Sequence, residues 1–216
     1  KADENLLPYI TTEVEDGTLE ISTKPGVNIN PSQTIVYEVT VKSLSAVTLS
    51  GFGNINADSL EGASLSARLT GSGDIRIDEV LGDAFTLDLT GFGDVELAKL
   101  EAPAADINLT GSGDIVVPGL STEDLKLVIS GFGDATISGD ATKLNVSLTG
   151  SGSYIGGDLQ SESAALTISG FGDATAWVTE TINITITGSG NVDYYGNPTV
   201  STTLTGFGSV ESLGEH

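Results

Sequence analysis

The chain has 216 residues, with 8 basic against 30 acidic side chains and a formal net charge of −22. That balance excludes the phosphate backbones of nucleic acids and argues against anionic membrane surfaces as partners. Cysteine is absent, so there is no disulfide framework and no thiolate metal site, and no apolar run approaches the roughly 18 residues of a membrane-spanning helix.

Residues 1–46 read as an N-terminal β cap. Thr11–Ser22 predicts a β-hairpin, with Val14, Leu19 and Ile21 on its apolar face and Asp16-Gly17 as the two-residue turn. Thr34–Lys42 alternates again through Ile35, Tyr37, Val39 and Val41 and predicts a further strand. Methionine is missing, so the chain is expected to be a processed mature form or a trimmed fragment.

Residues 47–216 carry a repeat. Gly-x-Gly begins at Gly51, Gly71, Gly91, Gly111, Gly131, Gly150, Gly170, Gly188 and Gly206, at intervals of 18 to 20 residues. Apolar residues stand two and four positions before the first glycine and four after it, with Thr202 before Gly206 the one exception: Leu69, Ala67 and Ile75 around Gly71, for example. Period-two alternation on both sides of a glycine pair means strand, tight corner, strand. A further apolar column, Leu60, Val80, Leu100 and Leu120, predicts a third inward-facing position. No helical period occurs. The fold predicted is an all-β parallel β-helix, a solenoid of about nine coils of ~20 residues in which each coil buries its apolar face against its neighbours. A coil of twice that length would place Phe and Ser corners on opposite edges; the 20-residue repeat of the core columns favours the shorter coil. Pro103, Pro118 and Pro198 are expected between strands.

Three columns of side chains are candidates for function. The middle corner residue alternates between Phe and Ser, so that Phe52, Phe92, Phe132, Phe171 and Phe207 would form an outward aromatic stripe. Such a stripe serves either as an interface or ligand edge, or as rings folded over neighbouring coils. After the corner stand Asp74, Asp94, Asp114, Asp134 and Asp173, which either accept hydrogen bonds from corner N–H groups or bind calcium between coils. The spacing is not that of a calcium-binding nonapeptide repeat. In the last coils Thr149, Ser169, Thr187 and Thr205, with Thr167, Thr185 and Thr203, form a hydroxyl face. No metal site is assigned, and no cofactor other than calcium is considered. His216 is the sole histidine, so no Ser-His-Asp arrangement is available. Arg68, Arg76 and Lys99 are the basic residues of the early coils that a lyase would need. The chain is read as a non-enzyme.

The Leu-Thr-Gly-Ser-Gly-Asp repeats, with Asn5-Leu6-Leu7-Pro8-Tyr9-Ile10 and Asp16-Gly17-Thr18-Leu19 upstream, resemble the putative auto-transporter adhesin head GIN domain family of bacteria. The resemblance implies a right-handed β-helix, no recognised catalytic residues, export to the cell surface, extracellular space or periplasm, and a role in adhesion. Two departures stand out. Family members carry further strands before the Asn-Leu-Leu-Pro-Tyr-Ile segment, and their corners are mostly Gly-Ser-Gly. The function expected is adhesion or extracellular assembly, with itself, a cell-surface glycan or a protein as partner. A carbohydrate-binding module is the alternative, and a polysaccharide-active enzyme the third.

Overall fold

The computed structural model describes residues 1–216. They fall into two compact units, Lys1–Lys42 and Ser43–His216, and the first solenoid strand begins at Ala46.

In the first unit a single 3-10 turn at Leu7–Tyr9 leads into β1 (Ile10–Glu15), which pairs antiparallel with β2 (Thr18–Thr23). Asp16 (φ 48°) and Gly17 (φ 79°) both take the left-handed conformation that a two-residue hairpin turn requires. The expected strand at Thr34–Lys42 does not form; the segment is irregular, and Val39 and Val41 are about half exposed. Alternation makes a strand only where a neighbour offers a free ladder edge, and here a single residue pairs with the segment: Lys1 and Val36 exchange backbone hydrogen bonds, with no strand to extend the ladder. The hairpin's intended apolar face is likewise open, with Val14 74% exposed.

The second unit is one sheet of twelve strands wound into stacked parallel coils: β3 (Ala46–Leu49), β4 (Ile55–Leu69), β5 (Ile75–Leu89), β6 (Val95–Glu101), β7 (Ala104–Leu109), β8 (Ile115–Ile129), β9 (Ala135–Leu148), β10 (Tyr154–Ile168), β11 (Ala174–Ile186), β12 (Val192–Tyr195), β13 (Thr199–Leu204) and β14 (Val210–Gly214). Nine corners delimit about eight turns. Ile55 pairs with Ile75, Ile75 with Val95 and Val95 with Ile115. Those pairs are 20 residues apart, so one coil takes 20 residues and not 40. Where the repeat shortens, the loss is absorbed away from the corner: Val117 pairs with Ile137, but Leu120 pairs with Gly139.

The core is a column of inward side chains. Leu60, Val80 and Leu100 are fully buried, Leu120 almost so, and Leu159 continues the column. Each such side chain contributes roughly 1.5–3 kcal/mol on burial. Size is balanced between coils: buried Tyr154 stacks between Ala135 and Ala174. Its ring occupies the space a side chain at Gly156 would need, since a Cβ there would lie 1.9 Å from the phenol oxygen. Pro103 and Pro198 lie between strands, but Pro118 does not; it falls inside β8. There the pairing with β9 breaks between Val117 and Leu120, so no regular ladder bond is asked of the missing N–H.

Candidate functional site

The corners explain where the functional columns point. At every corner after the first the middle residue donates its N–H to the first glycine's carbonyl one coil earlier, as Phe92 does to Gly71 (3.1 Å) and Phe132 to Gly111 (3.0 Å). The ladder therefore runs through the turn and holds the backbone in place. The carbonyl it uses sits where a Cβ would stand on the glycine above. A Cβ on Gly91 would lie 2.1 Å from the Gly71 oxygen, and one on Gly93 would lie 2.0 Å from the Gly73 oxygen. Close stacking thus demands glycine. Positive φ does not, because among the corner glycines only Gly53 has it (φ 124°).

With both glycines turned toward the stack, the middle side chain projects outward. Phe52, Phe92, Phe132, Phe171 and Phe207 are 92%, 77%, 76%, 74% and 95% exposed, whereas Phe85 on β5 is 1% exposed in the core. The five rings form one row along the corner edge, two coils apart, or roughly 9.6 Å at a coil spacing of ~4.8 Å.

The aspartate column forms an axial ladder. The N–H of Asp94 donates to Oδ1 of Asp74 (3.1 Å), that of Asp114 to Asp94 (2.8 Å), and that of Asp134 to Asp114 (2.8 Å). The same bond runs from Asp74 to Asn54 and from Asn191 to Asp173. Each carboxylate accepts from the next coil, not from its own turn. The corner rotates one backbone donor away from the carbonyl ladder, and this side chain satisfies it. Adjacent carboxylates repel by only about 0.9 kcal/mol in water at ~4.8 Å. No group of three or more carboxylates or imidazoles converges on a point that could hold a metal ion.

The hydroxyl face assembles as two adjoining columns. Ser147 pairs with Thr167, Thr167 with Thr185 and Thr185 with Thr203. Thr149, Ser169, Thr187 and Thr205 stand beside the corner and are exposed. Two of the early basic residues are separately engaged: Arg76 with Glu96 (3.1 Å), and Lys99 with Glu79 (3.0 Å) and Glu101 (2.9 Å). Glu101 and then Glu79 hold the Lys99 ammonium proton more tightly than usual. These pairs are exposed and contribute little to stability. Surface depressions are shallow and open, such as the one beside Leu81, Glu101, Pro103 and Thr122.

Two features escaped sequence reasoning. The Tyr154 hydroxyl is fully buried with no hydrogen-bond partner, and burial pushes its pKa well up. Trp177, Tyr195 and His216 form an aromatic cluster: the imidazole stacks on the indole at 4.1 Å between ring centres and meets Tyr195 edge-on at 5.0 Å. Tyr154 stands at the regular inward position four after Gly150, but periodicity says nothing about a partner for its hydroxyl, and no periodic signal brings His216 to Trp177.

The family model described as "Putative auto-transporter adhesin, head GIN domain" matches residues 1–99 and again 86–198. Similar solved structures include one described as a putative adhesin from Parabacteroides distasonis ATCC 8503, at 27% identity and TM-score 0.70 over 98% of this chain and 82% of that one. Another, described as a putative adhesin from Parabacteroides merdae ATCC 43184, has 27% identity and TM-score 0.69 over 98% and 81%. A third, described as a putative lipid binding protein from Parabacteroides distasonis ATCC 8503, has 25% identity and TM-score 0.64 over 98% and 82%. No curated protein matches.

Proposed function

Because the chain belongs to the family of putative auto-transporter adhesins with a head GIN domain, we propose that it is an exported, non-enzymatic surface-binding protein whose phenylalanine edge is the docking ridge. The observation that carries this is the row of five phenylalanines, each at least 74% exposed, on corners locked by the backbone ladder. Leaving such rings in water is unfavourable, and contiguous exposed apolar patches mark interaction sites. Covering five rings at ~150 Å² each removes about 750 Å² on this side, close to the ~800 Å² per partner of a standard interface. The ridge is pre-organised, so little ordering entropy opposes docking.

A neutral glycan as occupant is favoured by one specific feature. Phe and Ser alternate along the ridge with a period of roughly 9.6 Å, comparable to one disaccharide of an extended polysaccharide. Alternate sugars would stack on rings and the sugars between would meet serine hydroxyls. The columns of Thr149, Ser169, Thr187 and Thr205 beside the ridge supply further donors. A neutral chain also avoids the repulsion that a charge of −22 imposes on a second copy. The aspartate ladder serves the corner on this proposal, without structural calcium.

The test is the double variant Phe92→Ser, Phe132→Ser. Its melting temperature should match the parent's, and its binding to polysaccharide-coated surfaces should fall at least tenfold. Unchanged binding would remove the ridge from consideration, and a molten double variant would show that the rings belong to the core. Light scattering over a concentration series decides the self-assembly alternative: a mass that grows with concentration would replace the glycan with a second copy.

A further inference from the structure

Away from the phenylalanine ridge, the solenoid carries a second recognition surface. Trp177, the sole tryptophan, lies on β11 between buried Ala176 and Val178 and so faces outward. It pairs in register with Tyr195 on β12. Gly157, one coil earlier, lets the Tyr195 ring lie against its backbone: a Cβ there would meet the ring at 3.4 Å and Thr175 at 3.5 Å. The result is an aromatic shelf held by strands that pair on both sides.

The chain itself shows what the shelf accepts. The His216 ring lies parallel to the indole, with an interplanar angle of 9°, and edge-on to Tyr195 at 79°. Its Nε2 reaches Oδ1 of Asp158 at 3.4 Å. A flat ring is thus held by an aromatic face, an aromatic edge and a carboxylate at the rim. The surrounding charge is of one sign, because Asp193 and Glu211 sit in register nearby and no Lys or Arg follows Lys143. An aromatic face and a carboxylate together favour a planar cation, and arginine's guanidinium fits both at once.

We propose that Trp177, Tyr195 and Asp158 form a binding site for a planar organic cation, the arginine side chain of a basic partner segment, and that the His216 imidazole occupies its place in this structure. Asp158 supplies the charge-assisted hydrogen bond and Trp177 the stacking face. His216, tethered at a millimolar-scale effective concentration, competes with the incoming group. The site is independent of the ridge and stands whether or not the ridge binds a glycan.

The single tryptophan makes the site directly visible by fluorescence. N-acetyl-arginine amide is titrated into the intact chain and into His216→Gly, at low salt. The neutral, isosteric N-acetyl-citrulline amide and methyl glucoside serve as comparisons. Arginine amide should change the emission saturably, more tightly in His216→Gly than in the parent. Citrulline amide should bind about tenfold more weakly, as should arginine amide to Asp158→Asn, because each change removes one charge from the charge-assisted hydrogen bond. The arginine signal should also weaken as salt rises. Both substituted side chains are on the surface, and an unchanged melting temperature confirms the fold. No saturable change up to about 100 mM, far above the tethered concentration, overturns the proposal. Equal curves for arginine and citrulline amides overturn the cation, and saturation by methyl glucoside alone reassigns the shelf to a sugar.

Discussion

Tyr154 is the residue at which packing and polarity conflict most directly. Its ring is needed because Ala135, Ala174 and Gly156 leave a space of that size, while its hydroxyl has no partner. Removing a buried, unsatisfied hydroxyl relieves a desolvation penalty of about 1–3 kcal/mol. Tyr154→Phe should therefore raise the melting temperature by roughly 2–4 °C per kcal/mol for a chain of this size, read by thermal denaturation. A lower melting temperature would reveal a partner for the hydroxyl. The same residue sets an alkaline limit. Burial raises its pKa above the ordinary 10.0, so above that pH the unfolded chain loses a proton that the folded chain keeps. Stability contributed by the neutral phenol is full below pH 10 and falls as pH rises toward the folded value. Tyr154→Phe should flatten this part of the stability profile.

Glycine offers a paired experiment at the same scale. Gly93→Ala would drive a Cβ to 2.0 Å from the Gly73 carbonyl oxygen, whereas Gly51, in the first coil, has nothing within 4 Å. Gly93→Ala should destabilise by at least about 2 kcal/mol through backbone displacement. Gly51→Ala should stay within about 0.5 kcal/mol. Comparable losses in denaturant titrations would refute stacking as the reason for the glycines.

At the scale of the element, the corner is a strand–turn–strand unit whose bonds mostly run to the coils above and below. The aspartate ladder shows how this works: one side-chain oxygen per coil replaces the carbonyl the turn has rotated away. Asp94→Ala should cost about 1 kcal/mol, since the Asp114 N–H loses its 2.8 Å acceptor. Asp94→Asn should be close to neutral, because Asn54 already fills the same role for Asp74. Calcium should leave the melting temperature of the parent unchanged; a large rise on its addition would assign the column to metal binding. The N-terminal segments show the limit of element-level patterns. Thr34–Lys42 has the alternation of a strand and remains irregular, because alternation describes the faces of a strand but supplies no partner.

At the scale of the whole molecule, stacking converts single residues into surfaces. A phenylalanine at every second corner becomes a row of rings, and one hydroxyl per coil becomes a column. Stability in such an array is close to a sum of nearest-neighbour terms, so damage to one interior coil weakens its neighbours more than distant ones. Gly93→Ala should open amides of β5 and β6 to hydrogen exchange before those of β10 and β11. Uniform loss of protection would indicate a single cooperative unit instead.

The repeat, the coil length, the core columns and the outward row of phenylalanines were legible from residue order alone. The physical reason is that in a solenoid a fixed sequence interval becomes a spatial neighbour, so periodicity carries tertiary information. Only the folded structure decided that the aspartates bond to the next coil, that glycine answers to stacking and not to φ, and that Pro118 lies inside a strand at a break in pairing. It alone brought Asp158, Trp177, Tyr195 and His216 together. Trp177 and Tyr195 are one coil apart in register, but Asp158 lies at the break in pairing between Gly156 and Gln160 and His216 follows the last strand, and no period in the sequence connects those two to the pair.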